Sequence, residues 1–214
     1  MSLRNALEGL RVQSDRLEAA ARYVAAAKVI VEEGKKRLLK VGDHAPAFSL
    51  QDPRVGCVSS SKLLREGPLV VNFYRGLWCP YCQLDLASLE GVTADISHAK
   101  ASVIAITHDL EGGVRQRFLE VHPISFPLLD DSDGKVAEAF GIRWSPDDSR
   151  LIEAELGMDI VTLRGDGPWI LPMQARYVLG LDGLIAFADV IFNYDERSEP
   201  SVVLPVLAAL THQG

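Results

Sequence analysis

The sequence predicts an α/β protein with a mixed central sheet, helices on both faces and an N-terminal helical extension. Three observations carry this expectation. Short apolar, β-branched runs alternate with helix-forming segments through the middle of the chain, the pattern of strands joined by helical crossovers. The stretch ARYVLGLDGLIAFADV reads as a hairpin turning at Leu181-Asp182-Gly183, which adds antiparallel strands to the same sheet. Residues 3–39 hold no proline and bring Leu10, Leu17, Ala21, Val24 and Val31 near helical spacing, as amphipathic helices do.

The elements follow in order. Residues 1–39 form the extension, one or two helices that Gly34 interrupts before Lys35, Lys36 and Arg37. They are expected to pack on the main domain or against a partner subunit, as in a homodimer. Residues 40–214 form the domain. VGDHAPAFSL is a loop entering a short strand, and GCVSSSKLL a second strand and a helical turn. PLVVNFY, following Gly67-Pro68, reads as a buried central strand. CPYCQLDLASLEGV has helix-forming composition with Pro80 at a first-turn position. SVIAIT (102–107) is a strand, GGVRQRFLEVH a helix, and FPLLDDSDGKVAEAFGI a strand, turn and helix. Residues 143–170 read as an excursion, and SEPSVVLPVLAAL as a closing helix that Pro205 is expected to kink.

Composition narrows the function. With 214 residues, 48% of them hydrophobic, the chain buries a core without covalent staples. A net charge of −7 argues against nucleic acid and anionic membranes as partners. No run reaches the length of a membrane span, and Lys28 breaks the most apolar N-terminal stretch. Without a signal-peptide pattern, and with three cysteines, the chain reads as cytoplasmic.

The chemistry gathers at FYRGLWCPYC (73–82). A cysteine where a strand runs into a helix meets unsatisfied amides and the positive end of the helix dipole, and both stabilise a thiolate. Cys79 stands before the helix and Cys82 one turn inside it, close enough for one sulfur to attack and the other to resolve. Arg75 adds positive charge, Trp78 is read as a surface contact beside the site, and Tyr81 as a spacer shaping access. Zinc would need a second ligand pair. Cys57, His44, His98, His108, His122 and His212 provide no such spacing, so neither metal nor cofactor is expected. Cys57 reads as a buried or inert thiol at a strand edge, in preference to a distal resolving cysteine. Asp130, Asp131 and Asp133 read as a solvated turn.

These motifs resemble the peroxiredoxin-like branch of the alkyl hydroperoxide reductase/thiol-specific antioxidant family, within the thioredoxin-fold superfamily. KVGDHAPAFSL is similar to its opening signature, and GPLVVNFYRGLWCPYCQLDLASL to its core. FPLLDDSDGKVAEAFGI, YVLGLDGLIAFA and FNYDERSEP follow in the family's order, so the likeness spans residues 38–210. The resemblance implies a thioredoxin-like fold and a redox enzyme acting on hydroperoxides or protein disulfides, re-reduced by a thioredoxin or glutathione system. A non-catalytic redox-sensing module of the same fold is the alternative. Typical members carry P-x-x-x-T-x-x-C. Here Arg75, Cys79 and Cys82 take those three positions, and Gln174 takes the place of a peroxide-polarising arginine or a cis-proline. Pro172 is a second candidate for the cis-proline. Which cysteine attacks first stays open, with Cys79 favoured as the exposed one. Asn193, Tyr194, Arg197 and Glu199 match a family stretch and read as packing or subunit contact.

Overall fold

The computed structural model describes residues 2–13, 38–108, 112–144, 171–191 and 196–211. The strands are β1 (Ser49–Asp52), β2 (Gly56–Ser59), β3 (Leu69–Phe73), β4 (Ser102–Thr107), β5 (Leu128–Asp130), β6 (Arg143–Trp144), β7 (Leu171–Pro172), β8 (Gln174–Leu179) and β9 (Ile185–Ile191). The helices are α1 (Leu3–Gln13), α2 (Ser60–Glu66), α3 (Pro80–Glu90), α4 (Thr93–His98), α5 (Gly112–Val121), α6 (Lys135–Ala139) and α7 (Val203–Thr211). A 3-10 turn, Pro200–Val202, leads into α7.

Seven strands form one sheet in the order β2-β1-β5-β4-β3-β8-β9. β3 pairs in parallel with β4, and β4 with β5. β1 is antiparallel to β5, and β8 to both β3 and β9, so the sheet is mixed as expected. Every residue of β3 is buried, because helices cover both faces. Strand parity sorts the core into two layers. Val70, Val103, Ala105, Leu128 and Val178 pack on one face with Leu86 and Leu89 of α3, Ile96 of α4, Phe118 of α5, and Val203 and Leu207 of α7. Their neighbours Leu69, Val71, Phe73, Ile104, Ile106, Leu129, Tyr177 and Leu179 pack on the other, against Phe48, Phe140, and Val136 and Ala137 of α6.

Two connections are fixed by special residues. A Cβ on Gly67 would stand 1.9 Å from the Lys100 carbonyl oxygen, so only glycine lets the chain enter β3 there. The buried Asp52 carboxylate accepts from the Arg54 and Leu128 amides (2.6 and 2.7 Å), Arg54 Nη2 (3.2 Å) and Arg115 Nη2 (2.7 Å). Burial pushes this acid up. The amides and the two guanidiniums outweigh burial and hold it below the ordinary carboxylate range.

Several readings need correction. Asp131 is buried, not part of a solvated turn. Its carboxylate accepts from the Val136 and Ala137 amides at the start of α6 (3.0 and 2.8 Å), which have no partner within the helix. Cys57 is exposed because β2 is the edge of the sheet. α7 runs through Pro205, which sits in the first turn, where a missing N–H costs nothing. The extension is seen in α1, which packs on its own domain through Leu3 and Leu7. Two expectations, the helices of residues 14–37 and the excursion beyond residue 144, lie outside the described residues. No helix among the described residues is long and apolar enough to cross a membrane.

Candidate active site

The site forms where β3 ends and α3 begins. The Tyr74 amide donates to the Ile106 carbonyl (3.0 Å) and extends the strand ladder by one residue. The chain then folds back on itself at Gly76. A Cβ on Gly76 would lie 2.2 Å from Trp78 Nε1, so glycine makes room for the indole. The Arg75 guanidinium lies over that ring, 5.1 Å from its centroid, a cation–π contact. Both side chains are buried, so Trp78 is a packing element of the loop and not the surface contact expected of it.

Cys79 is the N-cap of α3, with extended backbone (φ −88°, ψ 115°), and Pro80 opens the helix. The Cys79 carbonyl accepts from the amides of Cys82 (3.0 Å) and Gln83 (3.1 Å), closing the first turn. Gln83 Nε2 donates to the Leu77 carbonyl (2.6 Å) and holds the loop against the helix. A serine, threonine or aspartate usually fills this cap position. Here a sulfur fills it, at the positive end of the helix.

Both sulfurs are buried, at 0% exposure for each residue. This corrects the expectation of an exposed Cys79; Pro80 between them is the exposed residue of the motif, and Tyr81 is buried. The Cys79 thiol is lowered to about 5. The hydrogen bond from the Cys82 thiol is the largest cause, and the charges of Arg75 and Arg197 outweigh part of the opposing burial. Cys82 moves the other way: burial pushes it well up, and its hydrogen bond to Cys79 adds to this. The two shifts run in opposite directions, so Cys79 is the more acidic thiol of the pair and Cys82 the one that holds its proton more firmly. The cysteines are free and stand within one helical turn, the spacing a disulfide needs.

Beside Cys82 lies a buried polar cluster of which the sequence expectations named Gln174 alone. Asn72, Gln174 and Arg176 share the parity of Val70 and Val178, so they point to the α3 face, and Asn72 stands opposite Arg176 in the β3–β8 register. They converge on Asp85 of α3. Arg176 Nη2 donates to Oδ1 (2.7 Å), while Gln174 Nε2 (2.9 Å) and Asn72 Nδ2 (3.3 Å) donate to Oδ2. Arg176 Nε also donates to Asn72 Oδ1 (3.1 Å), and its Nη1 to the Ser198 carbonyl (3.2 Å). Gln174 Oε1 is 3.6 Å from Cys82 Sγ.

Arg197 was read as packing, yet Nη2 lies 3.8 Å from Cys82 Sγ. Glu199, two residues on, accepts from the Leu3 and Arg4 amides (3.4 and 3.1 Å) and caps α1. Asn193 and Tyr194 lie outside the described residues. Pro172 lies in β7 opposite Arg143. No described peptide bond is cis, so the cis-proline alternative is set aside. His108 is buried at the end of β4, and His44 is exposed, bridging to Leu184. Among the described residues no group of three or more histidine, cysteine, aspartate or glutamate side chains is arranged to hold a metal.

Comparison with known proteins identifies the family of the chain. A protein of Mycobacterium tuberculosis named as a peroxiredoxin is 32% identical over 107 residues, covering 49% of this chain and 68% of that one. The thiol-disulfide oxidoreductase ResA of Halalkalibacterium halodurans is 27% identical over 111 residues, covering 52% and 62%. The crystal structure of peroxidoxin BcpB from M. tuberculosis superposes with a TM-score of 0.60 at 24% identity, covering 81% of this chain and 97% of that one. The family model for AhpC/TSA matches residues 41–188, from the loop before β1 into β9 and including both cysteines, and the chain belongs to the AhpC/TSA family.

Proposed function

We propose that the protein is a peroxiredoxin-like thiol peroxidase that reduces hydroperoxides through a Cys79–Cys82 dithiol–disulfide cycle. Membership of the AhpC/TSA family makes it a thiol redox enzyme and disfavours the non-catalytic sensing module. One observation carries the finer reading: an N-cap cysteine thiolate stands beside a protonated cysteine and within the field of two guanidiniums.

The Cys79 thiolate attacks the terminal oxygen of the hydroperoxide. A sulfur–oxygen bond forms, the oxygen–oxygen bond breaks, and the leaving alkoxide takes a proton to depart as alcohol, or as water from hydrogen peroxide. Arg75 and Arg197 stabilise the thiolate before attack and the negative oxygen during it. Cys82 then attacks the sulfenic sulfur of Cys79. The disulfide forms, and the hydroxide leaves with the Cys82 proton as water. A thioredoxin-type dithiol, or two molecules of a monothiol such as glutathione, returns two electrons and two protons and is left as the disulfide.

The same disulfide cycle would serve a protein disulfide substrate, as the name of ResA describes for that protein. The complete burial of both sulfurs favours a small oxidant. The test measures hydroperoxide consumption coupled to NADPH through thioredoxin and its reductase, with insulin disulfide reduction in parallel. Peroxide turnover abolished by Cys79→Ser and by Cys82→Ser is the expected result. Disulfide formation without turnover on any thiol reductant would refute the reading.

A further inference from the structure

Asp85 is fully buried and ion-paired with Arg176, so both its oxygens act as acceptors. This decides the orientation of Gln174. Its amide NH2 must face Asp85 Oδ2 (2.9 Å), which turns Oε1 toward Cys82 Sγ (3.6 Å). An amide oxygen only accepts, so it can bond the Cys82 thiol but not a Cys82 thiolate.

We propose that Gln174, held by Asp85, is a positioning residue that keeps Cys82 protonated and thereby assigns the attacking thiolate to Cys79. This rests on the dithiol cycle proposed above. The groups facing Cys82 act in opposite senses. Burial and the neighbouring Cys79 sulfur favour the thiol, and Gln174 Oε1 shares the one Cys82 S–H with that sulfur as a second acceptor. The Asp85 charge behind Gln174 is offset by Arg176, and Arg197 and Arg75 favour a thiolate. Oxidation of Cys79 to a sulfenic acid removes the neighbouring anion, while Arg197 remains in place. The balance at Cys82 then tips toward release of its proton, which leaves with the sulfenic hydroxyl as water when the disulfide closes. Gln174 thus sets the order of the two sulfurs without touching peroxide.

The test is the ultraviolet thiolate absorbance of Cys82 in reduced Cys79→Ser protein, followed with pH and compared with Cys79→Ser/Gln174→Met. Cys57 is replaced by serine in both. Removal of the acceptor is expected to raise the acid dissociation constant of Cys82 about fivefold, the effect of one lost hydrogen bond of about 1 kcal/mol. Methionine keeps the length of the side chain; if that variant does not fold, Gln174→Ala is expected to shift in the same direction. In Cys57→Ser protein with both site cysteines, Gln174→Met should also make Cys82 detectable by site-resolved iodoacetamide labelling near neutral pH, where of the pair only Cys79 reacts otherwise. An unchanged or weaker Cys82 acidity, or Cys82 labelling first in unmodified protein, overturns the proposal. Neither readout uses peroxide, so a failure of peroxidase turnover would leave this result standing, and the reverse.

Discussion

Asn72 and Arg176 face each other across the antiparallel β3–β8 pair, bonded from Arg176 Nε to Asn72 Oδ1 at 3.1 Å, and both reach down to Asp85. Two strands and the CxxC helix are thus joined by one buried set of polar groups whose bonds are made to each other. The position of the cysteines depends on this joint, because Asp85 and Cys82 lie on the same helix within one turn.

Breaking that joint from one side should be costly. Arg176→Met leaves the Asp85 carboxylate buried without its charge partner, and a loss of about 3–5 kcal/mol is expected in urea unfolding. Arg176→Met/Asp85→Leu removes both charges and should recover a large part of that loss. A single variant as stable as the parent would show that the ion pair is not what the cluster rests on.

The reactivity of reduced protein toward iodoacetamide should follow the Cys79 thiolate. The rate is expected to rise with pH through an inflection near 5 and to be flat at neutral pH, whereas an ordinary thiol inflects near about 8.5. Arg197→Gln and Arg75→Met remove positive charge from the thiolate, so each should move the inflection upward. An inflection that stays put in both variants would separate the guanidiniums from the acidity of Cys79.

Tyr177 is fully buried between Phe73 and Phe140, at ring separations of 6.2 and 5.0 Å. Its hydroxyl has no hydrogen-bond partner among the described residues, and burial pushes its pKa up. Tyr177→Phe removes that unpaired group at little cost in packing. Stability is expected to rise by about 1 kcal/mol. A fall of similar size would mean the hydroxyl is satisfied in solution.

Glu199 ties α1 to the segment that carries Arg197. Glu199→Ala should free the first amides of α1, cost about 1 kcal/mol and speed hydrogen exchange in residues 3–13. Exchange in α1 unchanged by the substitution would show that Leu3 and Leu7 alone hold the helix.

The frame of the sheet was legible because its signals are local. Ser102–Thr107 is a strand with the limits the sequence suggested, and α3 begins at Pro80 as expected. The arrangement around the cysteines was less legible. Burial of Trp78 depends on the close approach that Gly76 permits, and nothing in the spacing shows that. Cys57 is exposed because β2 ends the sheet, a matter of strand order that the sequence does not carry. One signal was present and unused: Asn72 interrupts the apolar run PLVVNF, and a lone polar residue in a buried strand needs a partner. The same holds for Arg176 in ARYVL and Asp85 in CQLDLASL. Their strand and helix phases put each on a buried face; the pairing of β3 with β8 is what brings them together.

Cys79 and Cys82 are proposed to exchange electrons as a pair, with Cys79 first. Peptide mass spectrometry after brief exposure to equimolar hydrogen peroxide reads this out. A Cys79–Cys82 disulfide is expected in the parent protein, a trapped sulfenic acid on Cys79 in Cys82→Ser, and none on Cys82 in Cys79→Ser at neutral pH. A sulfenic acid on Cys82 with Cys79 absent, or an oxidised parent in which the two are not linked, would contradict it.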